Sequence, residues 1–480
     1  MTITGQERPL LANEGTDAPA AGDRRDETLD DRDGEQSIFA ALGAASFRNL
    51  WLAELLSQTA LNAIWYAALV ATEQETHAAA FVSYAVVSAT LPVALFGVLA
   101  GILVDRWDKK RVLVVSNALR IALSLGYLWY GWSIGVIFLM NFLINAAAQF
   151  FSPALLATIP QLLPKRLLTA ATGLFNVTLN ISQVLGMVLL GPPLIKFVGP
   201  GVVFAVAAGI YAVATVLVAT VPRAHEPPGR AGRAGAGPLD ELRHDLREGW
   251  AFVRRDRESW LAMVYLALTW TILFALVTLA PRYAASAQGL RIDAGDAVFI
   301  LAPAGLGMAL AAAFLDRLAR RFGRWRLVGR GLLGLAGSLA VLALVAPFVH
   351  YLVRHGFDTL AARRAAHVPI ILVRAGLAMV VAFVAGWWVG IVTVSSEGVL
   401  LERAPRELRG RIFALQLTFT NLASIVPLLA VGHLADMIGL NEVIALTALV
   451  VLVAWLATAA SLAASRSAER GGPWAVGRGP

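Results

Sequence analysis

Apolar stretches about 20 residues long, each bounded by a short polar or charged turn, recur twelve times along this chain. They fall at roughly 49–72, 80–104, 112–131, 134–158, 169–193, 200–222, 259–282, 296–315, 327–348, 369–396, 412–434 and 441–464. A helix rising 1.5 Å per residue needs about 20 such residues to cross the hydrocarbon core of a bilayer. The pattern therefore predicts twelve transmembrane helices. The thinnest division is Gly131-Trp132-Ser133, the only break between the third and fourth stretches.

Longer polar segments organise these stretches. Residues 1–46 carry 10 acidic against 4 basic residues and no apolar segment, which reads as a disordered cytoplasmic tail and not as a secretory signal. Residues 223–258 separate six stretches from six. Within them Leu239, Leu242, Leu246 and Phe252 recur at near-helical spacing among charges, predicting an amphipathic helix on the inner membrane face. The expected layout is thus a six-helix bundle over 47–222, the linker 223–258, a second bundle over 259–464 and a tail over 465–480. Residues 349–368 form an exterior loop of unread role.

Composition agrees with this class and removes others. The chain of 480 residues is 58% hydrophobic and only 15% charged, against roughly 45–50% and about 25% in soluble domains. It has no cysteine, which removes thiolate catalysis, iron–sulfur clusters and cysteine-ligated zinc. The net charge of +8 is distributed by topology: 31 of the 40 Lys and Arg fall in segments that an even helix count and the positive-inside rule make cytoplasmic. Both termini are then cytoplasmic, in a multi-pass cell-membrane protein. No basic stripe interleaved with aromatics points to nucleic acid. No phosphate-binding loop, zinc-binding His-Glu-x-x-His or nucleophile elbow occurs, so neither an enzyme nor a cofactor is expected. A monomer is the expected state.

The two halves echo each other. The turn Gly101-Ile-Leu-Val-Asp105-Arg106-Trp-Asp-Lys109-Lys110-Arg111 has a counterpart in Phe314-Leu-Asp316-Arg317-Leu-Ala-Arg320-Arg321. Pro164-Lys165-Arg166 is likewise echoed by Pro405-Arg406 at the matching place in the second half. Repeated halves are the layout of alternating-access carriers, with the substrate site between them near the midplane.

The first of these turns resembles the signature loop of the major facilitator superfamily, with Asp108 where glycine is usual. That variant, Phe47-Arg-Asn-Leu-Trp51 and Phe151-Ser-Pro153 resemble the branch of bacterial drug and siderophore exporters. The resemblance implies an all-α fold of two pseudo-symmetric six-helix bundles. It also implies a gating role for Gly101, Asp105, Arg106, Lys109, Lys110 and Arg111, with Asp316 and Arg317 in the second half. A topology-setting basic turn is the plainer reading of the same charges. The fourth stretch has no arginine, and the fifth matches the drug-antiporter pattern only at Gly186 and Gly191-Pro192.

Polar residues inside apolar spans are costly and mark function by default. Glu54, Gln58 and Asn62 share one face of the first span, and Asn141, Asn145 and Gln149 share one face of the fourth. In the fold that the chain resembles, these helices line the central cavity. Hydrogen bonding between helices is the alternative for both stripes. Tyr265 and Trp270 in the seventh span and Trp387 in the tenth are candidates for an aromatic cavity wall. Glu54 lies about 10 Å into its span. It is a candidate proton-coupling residue, and Arg120, at similar depth, is either its partner in coupling or in a structural ion pair. Arg374 is expected to snorkel to the outer interface, with contact to an anionic substrate as the alternative.

The combined expectation is a secondary transporter exporting a small or medium amphipathic solute, with protons and membrane lipids as further partners. An uptake or lipid-like solute carrier, or a receptor or scaffold built on the same fold, are the alternatives.

Overall fold

The computed structural model describes residues 39–129, 133–222, 238–286, 288–356, 367–405 and 408–470. Among them the chain is helical throughout, with no strands. Six long helices come first: α1 (Ala45–Thr76), α2 (Ala79–Arg106), α3 (Lys109–Trp129), α4 (Ile134–Leu162), α5 (Lys165–Phe197) and α6 (Pro200–Thr220). The linker helix α7 (Pro238–Arg255) follows. Six more complete the chain: α8 (Arg257–Ala285), α9 (Ala294–Phe322), α10 (Arg324–Gly356), α11 (His367–Arg403), α12 (Arg409–Ile438) and α13 (Leu440–Arg470).

Eleven of the described helices are long and apolar enough to cross a membrane. α1 is as long but less apolar, because Glu54, Gln58 and Asn62 interrupt it. With α1 counted beside these eleven, the start of α1 and the end of α13 fall at one face of the bundle, called here the terminus end. The opposite face is the far end.

Several helices outrun the hydrophobic stretches that mark them. α10 continues to Gly356, eight residues past the expected boundary, and α13 runs to Arg470. The exterior loop expected over 349–368 therefore starts later, and 357–366 lie outside the described residues. A helix can extend past the hydrocarbon because its backbone bonds are internal, so hydropathy marks the membrane and not the helix end. The stretch 1–38 and the tail 471–480 also lie outside the described residues. Of the expected amino-terminal tail, the described part is short and helical, with Ala41 buried.

Each group of six helices has its own packed interior. In the first, Tyr127 stacks on Phe204 with ring centroids 3.8 Å apart, and Phe47, Leu50, Leu113 and Phe151 pack nearer the terminus end. In the second, Leu332, Leu335 and Leu339 of α10 pack against Val381 and Val389 of α11 and Val443 of α13. A smaller cluster of Leu69, Val82, Val277 and Leu428 joins the two groups. Large apolar side chains such as Val216, Leu344 and Val426 are exposed, as helices bathed in lipid require.

Lipid tails are as apolar as leucine, so close van der Waals approach has to hold the helices together, and small residues allow it. α9 and α11 show this most clearly. A β-carbon on Gly386 would collide with the Ala304 carbonyl, one on Gly307 with the Phe383 carbonyl, and one on Gly390 would fall 2.8 Å from the Met308 carbonyl. Because backbone is the obstacle, Gly386→Val is expected to abolish the monodisperse peak in size-exclusion chromatography of the solubilised protein; an unaltered peak would contradict this packing.

The linker helix corrects one expectation. Instead of only lying on the membrane, α7 docks on the second group: Val253 is buried with Ile412 and Leu415 of α12, and Trp250 packs edge-on to Trp260 of α8 with centroids 5.7 Å apart. An ion pair between Glu248 and Arg411 fixes its rotation. Asp256 then caps α8, accepting from Ser259 N at 3.0 Å and from Arg403 Nη1 at 3.0 Å. Partial burial raises its pKa, but these hydrogen bonds and the arginine charge outweigh it and hold the carboxyl below its usual range. A depressed folded-state pKa contributes stability above the unfolded value, lost as pH falls through the folded one. Asp256→Ala is expected to cost about 1 kcal/mol, read as a lower unfolding midpoint at pH 7 that converges with the unmodified protein in acid.

Candidate functional site

The polar stripe of α1 meets the first group's interior and not only a cavity. Glu54 is 0% exposed, and Arg120 of α3 is 1% exposed. Gln58 Nε2 donates to Glu54 Oε1 at 2.9 Å, the i, i+4 geometry the stripe predicts, while Glu54 Oε2 has no hydrogen-bond partner. Arg120 lies over the rings of Phe151 (4.9 Å) and Tyr211 (5.5 Å) and donates through Nη1 to Asn117 Oδ1 at 3.3 Å. Its Nε and Nη2 have no partner.

Glu54 and Arg120 are therefore neighbours without a direct bond among the described residues. The fixed ion pair weighed from the sequence is not the arrangement in this conformation. The rings and Asn117 hold the cation off the carboxylate, through cation–π attraction and one hydrogen bond. Ser57 joins Asn117 at 3.2 Å, and Ser124 Oγ and Tyr211 OH stay unpaired nearby in the buried interior. Ser57, Asn117 and Tyr211 were not singled out from the sequence. Ser57 sits three residues from Glu54, but Asn117 and Tyr211 arrive from other helices, which spacing along one helix cannot reveal.

The remaining candidates separate. Gln58, Asn62, Asn145 and Gln149 are half-buried, as residues facing an interior cleft would be. Asn62 Nδ2 donates to Gln58 O, and Asn145 Nδ2 to Asn141 O, each spent along its own helix. Asn141 is different. It is fully buried and donates to Ala85 O at 2.9 Å and Ser88 Oγ at 3.0 Å, fastening α4 to α2. Its role is packing, not cavity lining. Tyr265 is also buried, packed on Trp325. Trp387 packs against Phe314 of α9, whereas Trp270 remains half-buried beside Phe274.

At the terminus end, the basic turn is built into the first group. Lys110 Nζ donates to Ala219 O and Val221 O at 2.6 Å each, capping the carboxyl end of α6 where a cation is favoured. Asp108, the departure from the signature, accepts from Arg111 N at 2.7 Å and so caps α3. Trp107 stacks on Phe150 at 6.3 Å. Gly101 is half-buried, Arg106 and Arg111 are exposed, and the Asp105 side chain lies outside the described residues. Asp316 and Arg317 are exposed on α9. The echo is out of register: Asp105 is the penultimate residue of α2, but Asp316 stands six residues before the end of α9.

The halves are bonded to each other at the far end. Asp436 of α12 accepts from Ala79 N and Ala80 N at 2.9 Å each, capping α2 across the interface. Glu73 pairs with Arg282 at 3.2 Å, and Lys196 with Asp296 at 2.8 Å. Tyr66 OH donates to Gly295 O at 2.7 Å and accepts from Val298 N at 3.2 Å. Tyr84 OH meets His433 Nε2 at 3.1 Å. Gly432 lets the backbones close, since a β-carbon there would strike Ser83. None of these partners was legible as a pair, because each spans more than 90 residues of chain.

Two bundles of six, joined at one end over buried polar groups, match a family model. The model described as Major Facilitator Superfamily covers residues 50–362. The chain belongs to the major facilitator superfamily. It is a multi-pass membrane protein with the superfamily's all-helical transporter fold. Among curated relatives it is 25% identical to the macrolide efflux protein A of Streptococcus pyogenes over 142 residues, 29% of this chain and 35% of that protein. It spans only about a third of that relative's length. It is also 25% identical to the uncharacterised MFS-type transporter YfiS of Bacillus subtilis over 372 residues, 75% of this chain and 79% of that one. Among solved structures it resembles a nucleoside transporter NupG mutant (TM-score 0.65, 14% identity, 86% of this chain and 98% of that one). It also resembles a bacterial homologue of the lysosomal transporter Spinster, inward-facing and unoccupied (TM-score 0.61, 14% identity, 86% and 97%). At these identities the structural likeness concerns the fold.

Proposed function

We propose that the protein is a proton-coupled secondary exporter of an amphipathic solute of drug or siderophore type, with both termini in the cytoplasm. Glu54 carries the reading of coupling. A carboxyl group removed from water, with one oxygen on Gln58, the other unbonded and its neighbouring cation held aside by aromatic rings, has the means to gain and lose a proton. A structural acid would have its second oxygen satisfied.

Export rests on the branch resemblance of the basic turn and on the partial likeness to a macrolide efflux protein. Bonds across the halves at the far end, with the basic turn and linker helix each held within one half at the other end, support a cytoplasm-open conformation in which solute enters between α1, α4, α8 and α11. Gln58, Asn62, Asn145, Gln149 and Trp270 are the residues proposed to meet it. The gating role of Arg106, Lys109 and Arg111 stays part of this proposal, with Lys110 assigned to holding α6.

The test is solute flux from proteoliposomes under an imposed pH gradient, over a panel of macrolides, cationic dyes and siderophores. Gradient-dependent flux of at least one class, abolished by a protonophore, is expected. Flux indifferent to the gradient across the whole panel would end the coupling reading, and absence of any flux would end the export reading.

A further inference from the structure

Arg374, near the start of α11, is 6% exposed. Its guanidinium is buried against the chain that follows α8, so it does not snorkel to water in this conformation. Its Nη1 donates to the carbonyl of Gly289 at 3.4 Å, and its Nε has no partner among the described residues. Gly289 sits in a tight return of the chain after α8. Leu290 N bonds back to Tyr283 O, and Ile292 N to Ala284 O, both at 2.9 Å. A β-carbon on Gly289 would collide with the Tyr283 carbonyl, so only glycine lets the turn close this far.

That closure folds the backbone of Tyr283 against Gly289, whose carbonyl Arg374 holds. Arg291 stands two residues from the carbonyl that Arg374 holds, in the left-handed conformation at φ 59, and is exposed. Tyr283 is 3% exposed, and its hydroxyl has no partner among the described residues. No carboxylate among the described residues pairs with either arginine.

A buried guanidinium without a counter-charge and buried donors without acceptors both cost free energy. Both deficits are removed by one acceptor-rich anion. A carboxylate offers two oxygens to this set, whereas a phosphate group offers three or four and suits paired guanidinium forks. We propose that Arg374, Arg291 and Tyr283 form a phosphate-binding site at the far end of the second bundle. The site lies at the far ends of α8 and α11, where the phosphate belongs either to a phospholipid or to the aqueous phase. It is separate from the cleft assigned to the transported solute and does not depend on that assignment.

The full-length protein, delipidated in a neutral maltoside detergent, separates these sources. Its unfolding midpoint would be followed against inorganic phosphate at constant ionic strength, with chloride as control. Retention of phosphatidylglycerol against phosphatidylcholine would be read by native mass spectrometry. A saturable rise with inorganic phosphate assigns the free anion; selective retention of phosphatidylglycerol alone assigns the lipid. In either case Arg291→Gln and Arg374→Gln weaken the response at least tenfold, while Arg330→Gln, the same charge change at the terminus end, leaves it intact. Arg291 is exposed, so its variant folds even if Arg374→Gln does not. No response in the unmodified protein, or a response that survives Arg291→Gln, overturns the proposal.

Discussion

Glu54→Gln is expected to reduce gradient-driven transport at least a hundredfold while preserving solute exchange at zero gradient. The substitution is nearly isosteric and keeps an acceptor for Gln58, but it removes the only proton-accepting group at the centre of the buried cluster. Rocking of the bundles and the solute cleft are untouched, so counterflow of labelled against unlabelled solute continues. The unfolding midpoint supplies the decisive second reading. If Glu54 were half of a structural ion pair, losing it would strand Arg120 as an uncompensated buried charge at a cost of about 3–5 kcal/mol. Arg120 is already held by Phe151, Tyr211 and Asn117, so the midpoint is expected to stay within a few degrees. A steep fall in the midpoint together with intact gradient-driven transport would reverse the assignment.

Asp436→Ala is expected to open the far end. The carboxylate accepts two amide hydrogens from the first turn of α2, where the helix dipole also favours an anion. Losing charge-assisted bonds of this kind costs about 1–3 kcal/mol, a 5- to 150-fold change in the ratio of closed to open states. Opening restores those amides to water, so the loss falls on the closed state. The chain has no cysteine, which makes the measurement direct. Ser83, buried against Gly432 in the closed interface, becomes the sole probe as Ser83→Cys. Its labelling by a membrane-impermeant maleimide from the far side should accelerate about tenfold or more when Asp436 is replaced. An unchanged rate would mean that Glu73–Arg282, Lys196–Asp296 and Tyr66 hold the end shut unaided.

The helices were legible because hydrocarbon thickness imposes its length on the sequence. Helix ends were not, since α10 and α13 continue beyond their apolar stretches with their backbones already satisfied. The α1 stripe was legible for the same local reason: residues four apart share a face, and Gln58 does bond Glu54. What failed was rotation. Asn141 belongs to a stripe identical in spacing, yet it turns toward α2, because spacing states which residues align and not which neighbour they face. The far-end bonds lay beyond reach for a related reason. Asp436 and Ala79 are 357 residues apart, and only the packed halves bring them together.

The glycine contacts between α9 and α11 bear on how this transporter could change its cargo. At Gly307 and Gly386 backbone meets backbone, so a saturation library should return glycine there under any selection that demands a folded protein. Neither helix can slide or rotate to accept a bulkier solute without separating from the other. New cargo would then have to be accommodated by exchanging side chains at the cleft, which makes the proposed positions Gln58, Asn62, Asn145, Gln149 and Trp270 the ones where substitutions that change solute preference are expected first.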